Sequence, residues 1–150
     1  MAKYDSLNDA SRVLLGKLTL SGTTTVVTSL VDMQGFDALD VTFVNATITD
    51  AGTASGFTMK LQEADVTTAA SFTDVATTNC VNGVATVVVT VDTTDDTISG
   101  ALGYIGGKRY VRVSATGTTA SDAVVYVIGR RSRGGQSLPA TLIGAATAAT

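Results

Sequence analysis

The chain has no histidine and no tryptophan, one cysteine, one proline, and charged side chains at only 15% of its 150 positions. Each shortage excludes something. Without histidine, the usual Ser-His and Cys-His catalytic pairings cannot form. A single cysteine, Cys80, cannot close an internal disulfide, so no covalent staple holds the chain. A free thiol fits assembly in a reducing cytoplasm. Aromatic residues are 5% of the chain, few for a sugar-stacking lectin surface. The net charge of −3 argues against a general nucleic-acid binder, which is ordinarily basic. No apolar run approaches the roughly 20 residues of a membrane span. The opening MAKYDSLNDASRVLLGK carries no long apolar segment of the signal-peptide kind.

What remains is rich in Thr, Val, Ala and Gly. β-branched side chains suit a pleated, half-buried surface and lose rotamer freedom in helices. A chain of this length buries roughly 70% of its unfolded surface and can hold a core unaided. Period-2 alternation is clear in LDVTFVN, where Leu39, Val41 and Phe43 face one way. It recurs in FTMKLQEAD, with Phe57, Met59 and Leu61 inward and Thr58, Lys60 and Gln62 outward. Further strands are expected at 13–20 (interrupted by Gly16), 24–31, 72–76, 84–91, 108–115 and 123–129. Gly35 marks a turn, ATITDAGTASG reads as a small-residue loop, and Asn82-Gly83 suits a tight turn because both residues tolerate positive φ. About eight strands without βαβ alternation predict an all-β antiparallel sandwich or barrel-like domain over 13–130. Residues 1–12 are expected to form an N-terminal arm, and 131–150 a low-complexity C-terminal tail.

Few residues offer chemistry. Asp92, Asp95 and Asp96 could do acid–base work or hold Ca²⁺ through oxygens. They lack the spacing and closing Glu of an EF-hand loop and read more simply as a solvated acidic turn. Cys80 has no local positive charge to lower its pKa and reads as a small filler. LGYIGGKR is not a phosphate loop by spacing, and its glycines suit a turn. No catalytic residue, metal or cofactor is expected.

Six of the ten basic residues fall at Lys108, Arg109, Arg112, Arg130, Arg131 and Arg133. These are the candidates for a protein contact. They gather in one region if the strands near 110 and 126 are neighbours, and could meet phosphates, an acidic protein surface through bidentate Arg pairs, or only solvent. Alternation places Lys108, Tyr110 and Arg112 on one strand face and Arg109, Val111 and Val113 on the other. Arg109 would then need a partner, because an unpaired buried charge is very costly. Tyr104 and Tyr110 read as sheet-packing residues.

Three stretches carry a resemblance: SLVDMQGFDALDVTFVNATIT, LQEADVTTAASFTDV, and LGYIGGKRYVRVSATGTTASDAVVYVIG. Over residues 29–129 they resemble small tailed-bacteriophage and prophage head decoration, or cement, proteins. The shared pattern is a Val-Asp-Met-x-Gly-Phe strand opening, an L-x-E-A-D turn with a following F-T-D-V, and an I-G-x-K-R-Y-V-R strand. The resemblance implies a non-enzymatic β domain on the outside of a capsid, assembled in the host cytoplasm. It implies the major capsid protein as partner, and a homo-oligomer, commonly a trimer. It implies neither nucleic acid nor membrane as partner. The alternatives are a tail or head–tail joining ring protein and a carbohydrate- or Ca-binding β module.

Overall fold

The computed structural model describes residues 10–92 and 97–132. Ten strands lie among them: β1 (Ala10–Ser21), β2 (Thr25–Val27), β3 (Val31–Asp32), β4 (Ala38–Asp50), β5 (Phe57–Ala64), β6 (Thr73–Asp74), β7 (Thr86–Val89), β8 (Thr97–Tyr104), β9 (Tyr110–Thr116) and β10 (Asp122–Ser132). They form two sheets and do not close into a barrel. One sheet has the order β1-β10-β4-β8. In the other, β9 and β5 are central, with β2 and β3 along the free side of β9 and β6 and β7 along the free side of β5. Every pairing is antiparallel.

The alternation seen in the sequence becomes the core. Leu39, Val41 and Phe43 from β4 meet Phe57, Met59 and Leu61 from β5, all buried, together with Val111 and Val113 of β9 and Val125 and Val127 of β10. In β1 the pairing with β10 shifts between Leu14 and Gly16, and Gly16 sits at φ 118°. This bulge turns both Leu15 and Leu18 inward while Leu14 points out. Gly35 has φ 81° and turns the chain from β3 to β4. Asn82 and Gly83, at φ 55° and 70°, make the expected turn.

Three differences from the expected strands have identifiable causes. The segment 24–31 splits into β2 and β3, because the Thr28 hydroxyl accepts the Val113 N–H at 3.0 Å in place of a backbone carbonyl. ATITD is strand and not loop: β4 runs to Asp50, paired with β10, with Ile48 buried. β8 has no alternating pattern to read. Gly100 stands where its register against β4 shifts, and Ala101, Leu102, Gly103 and Tyr104 are all buried. At the ends, β1 begins at Ala10, inside the expected arm, and β10 continues through Arg131 and Ser132 of the expected tail. The rest of the arm and tail lies outside the described residues.

Candidate functional site

Inward alternation along β5 runs Phe57, Met59, Leu61 and then Glu63, which puts a carboxylate in the core at 8% exposure. A buried charge needs partners on both oxygens. Tyr104 Oη, at the end of β8, donates to Glu63 Oε2 at 2.6 Å. Asn79 Nδ2 donates to Oε1 at 3.3 Å. The same phenol accepts the Lys108 N–H at 2.9 Å, and the Asn79 carbonyl accepts the Ile105 N–H at 2.9 Å. The turn between β8 and β9 is therefore wrapped over the tyrosine. Gly106 is required there, since a Cβ would lie 2.6 Å from the Tyr104 ring. Burial first, and then the hydrogen bond to Glu63, push the Tyr104 phenol far above its ordinary range, so it remains a proton donor. Burial, and then the Glu63 charge, also push the Cys80 thiol up, opposite to what a nucleophile needs.

Of the six basic candidates, Lys108, Arg109 and Arg131 lie around this hub with their charges used within the chain. β9 and β10 belong to different sheets and are not neighbours. Lys108 pairs with Asp65. The Arg109 guanidinium forks onto the Asp32 carboxylate, at 3.3 Å from Nε and 3.1 Å from Nη2, and lies 5.1 Å from the centre of the Tyr110 ring. Arg131 reaches the same residue from β10, its Nη1 donating to the Asp32 carbonyl while its guanidinium stacks 4.3 Å over Phe36. The Arg109 fork, with help from the Gln34 N–H, holds the Asp32 carboxyl below its usual range. Arg112 lies on the outer face of the β9–β5 sheet, 4.2 Å over Phe72, with Nε donating to Gln62 Oε1 at 3.0 Å. Arg130 lies on the outer face of the opposite sheet, beside Asp40. Arg133, Asp95 and Asp96 fall outside the described residues. Asp92 accepts the Ala51 N–H through Oδ1 at 2.9 Å.

One expectation is corrected. Arg109 does not share the apolar face with Val111 and Val113. The strand begins at Tyr110, and Arg109 stands before it with about half of its side chain exposed (48%). Alternation cannot be carried back through a turn, so its side chain leaves the sheet for Asp32.

Between loop 33–37 and loop 105–109 lies an open groove of about 580 Å³, lined by Met33, Phe36 and Ile105 with Asp37, Asp65, Lys108 and Arg109 around them. Its lysine and arginine are paired with carboxylates, so it offers a mixed-charge, partly apolar surface. The sequence held a signal for the hub that alternation alone reveals, because Glu63 continues the inward series of β5. Asn79 and Asp32 gave none, since their partners are distant in the chain.

No protein-family model and no curated protein matches the chain. Among solved structures, the backbone is similar to a subunit of Bacillus endospore appendages, a family of disulfide-linked pili, at 14% identity and TM-score 0.42, over 83% of this chain and 86% of that one. It is also similar to the SPBc2 prophage-derived protein YomS, at 13% identity and TM-score 0.41, over 81% of this chain and 93% of that one. Likeness at this level leaves function to be argued from the residues.

Proposed function

We propose that this chain is a non-enzymatic structural protein of a tailed-phage virion, one that binds and stabilises the outer surface of the capsid with the major capsid protein as its partner. The observation that carries the reading is where the three resembling stretches meet. Asp32 of the first pairs with Arg109 of the third. Asp65 of the second pairs with Lys108 of the third, and Glu63 with Tyr104. The pattern that carries the resemblance is thus a clamp joining distant segments at one end of a sandwich. A clamp of this kind suits a rigid structural part: its side chains are occupied in holding the fold. The buried thiol and the doubly bonded Glu63 likewise favour a structural over a catalytic role.

The test is mass by light scattering of the purified protein, alone and mixed with matching empty capsids. Saturation of capsids in multiples of three supports decoration by a trimer. Rings that ignore capsids would move the protein to the tail or the head–tail joint. Because β1 begins at Ala10, a deletion that probes the arm must stop at residue 9. Removing 1–9 is expected to lower capsid occupancy while the melting temperature is kept, and unchanged occupancy would remove the arm from the contact.

A further inference from the structure

The outer face of β1 and β10 is not accounted for by anything above. β10 alternates strictly, with Ala123, Val125 and Val127 buried and Asp122, Tyr126, Ile128 and Arg130 exposed. Its outward series reads acid, aliphatic, aromatic, aliphatic, base: Asp122, Val124, Tyr126, Ile128, Arg130. About Tyr126 the series matches aliphatic with aliphatic and acid with base. The neighbouring strand adds to one end only: Arg12 is opposite Arg130 and Leu14 opposite Ile128, whereas Thr19 and Ser21 are opposite Val124 and Asp122, so the self-complementary series is that of β10. Leu14 is 72% exposed, Tyr126 46% and Ile128 45%. A contiguous apolar stripe of this kind on a sheet face marks a contact surface.

We propose that this face is a contact with a second copy of the chain, the two related by a two-fold axis that crosses the strands at Tyr126. Such an axis lays β10 on β10 antiparallel. Asp122 of each copy then meets Arg130 of the other, Val124 meets Ile128, and the two Tyr126 rings meet at the axis. An isologous contact needs a self-complementary surface, and this series is one. With about 3.3 Å per residue, the two charges on one strand are about 26 Å apart, so the ends pair independently of the apolar centre. Asp40 also lies in the basic row, half-buried beside Arg130. The same axis brings Lys17, opposite Tyr126, towards Lys17 of the second copy, and since β1 is the edge strand each ammonium runs outward to water. The face is small for an obligate dimer, so the association is expected to depend on concentration. The proposal does not depend on capsid binding: it joins chain to chain, or trimer to trimer, whichever unit exists.

The test is sedimentation velocity over a wide concentration range on the full chain and its variants. The wild type should show masses at even multiples of the unit that persists on dilution. Ile128→Glu should leave only that unit. Arg130→Asp sets acid against acid at both ends and should weaken association by roughly tenfold. Arg130→Asp with Asp122→Arg reverses both ends and should restore it, which a merely structural role of either residue would not do. Ile128 and Asp122 are exposed, so their single variants should melt near wild type. Arg130→Asp also sets a second acid beside Asp40 and should melt lower, so association is compared at a temperature where every variant is folded. Three results would overturn the proposal. One is failure of the double exchange to restore association in chains that remain folded. Another is association that appears only once residues 133–150 are removed, which would make the chain's own end the cover. The last is an Ile128→Glu chain unchanged in mass but lowered in capsid occupancy, which would assign the face to the coat.

Discussion

The outer faces of the two sheets carry similar residues and use them differently. On the β9–β5 sheet, Arg112 stacks on Phe72 and bonds Gln62, Lys60 and Gln62 both reach Asp74, and Thr25 meets Thr116 at 3.0 Å. The chain's own segment 65–75 supplies Phe72 and Asp74, so this face covers itself. On the β1–β10 side, Leu14, Tyr126 and Ile128 face outward with no local segment over them among the described residues. Where a loop returns across a sheet, its cations and aromatics become internal contacts. Where none returns, the same kinds of side chain remain available to a partner. Basic residues in a sequence therefore do not announce an interface; the path of the intervening loop decides.

The contrast can be broken most directly by truncation. Phe72, 8% exposed under the Arg112 guanidinium, should cost about 3 kcal/mol as Phe72→Ala in chemical denaturation. Ile128→Ala on the other face should cost no more than about 0.5 kcal/mol in the unassociated chain. Equal losses would mean that the two faces are covered alike. Next in size is the hub that ties the loop end to the core. Tyr104→Phe removes a charge-assisted bond and should cost about 2 kcal/mol. Replacing Glu63 by Met in the same chain should recover part of it, because the buried carboxylate then no longer needs a donor. A double variant whose loss equals the sum of the two single losses would deny that the two residues act together.

A smaller effect separates the faces by sign. Asp32 and Asp74 are held below the usual carboxylate range by their cation partners, Arg109 and Lys60 respectively. Their contribution is present above the unfolded pKa and is lost as pH falls through the folded one. Asp40 is pushed up by burial against only partial relief from Arg130. Its ionised form opposes folding above its folded pKa, and the penalty vanishes below the unfolded one. Asp40→Asn should therefore raise the melting temperature at pH 7, and Asp32→Asn should lower it. The Asp40 difference should be gone by about pH 3, below the ordinary aspartate pKa, whereas the Asp32 difference should persist until pH falls through its lowered folded pKa. Shifts of the same sign would refute the assignment. Smallest of all, Lys108→Ala and Arg109→Ala each break one exposed ion pair. Their melting temperatures should agree within about 2 °C, whereas a burial of Arg109 would separate them.

The fold was legible where one face of a strand is apolar and the other polar. β4 and β5 follow this rule, since period-2 burial is a property of the local chain, whereas β10 was legible as a short apolar run of β-branched and aromatic residues. β8 was not legible, because its glycines and alanine give no alternation and it is a strand only through its pairing with β4. The division of 24–31 depended on a threonine hydroxyl finding Val113, a contact 85 residues away. The candidate site divides in the same manner. Glu63 stood in the inward series of β5 and could be read there, whereas Asp32, Asn79 and the stacking of Arg112 on Phe72 could not.

By itself the sequence determined the all-β class, the inward residues of the long strands, the turns at Gly35 and Asn82-Gly83, and the acid-to-base series along β10. These follow from local conformational preference and from the repeat of two residues that any strand imposes. Only the tertiary structure decided which cations are consumed and which face outward. Ion pairs such as Arg109 with Asp32 join residues 77 apart in the chain, and no local rule relates them. Their pairing depends on the order of strands in the sheets, and the burial of the whole core sets that order.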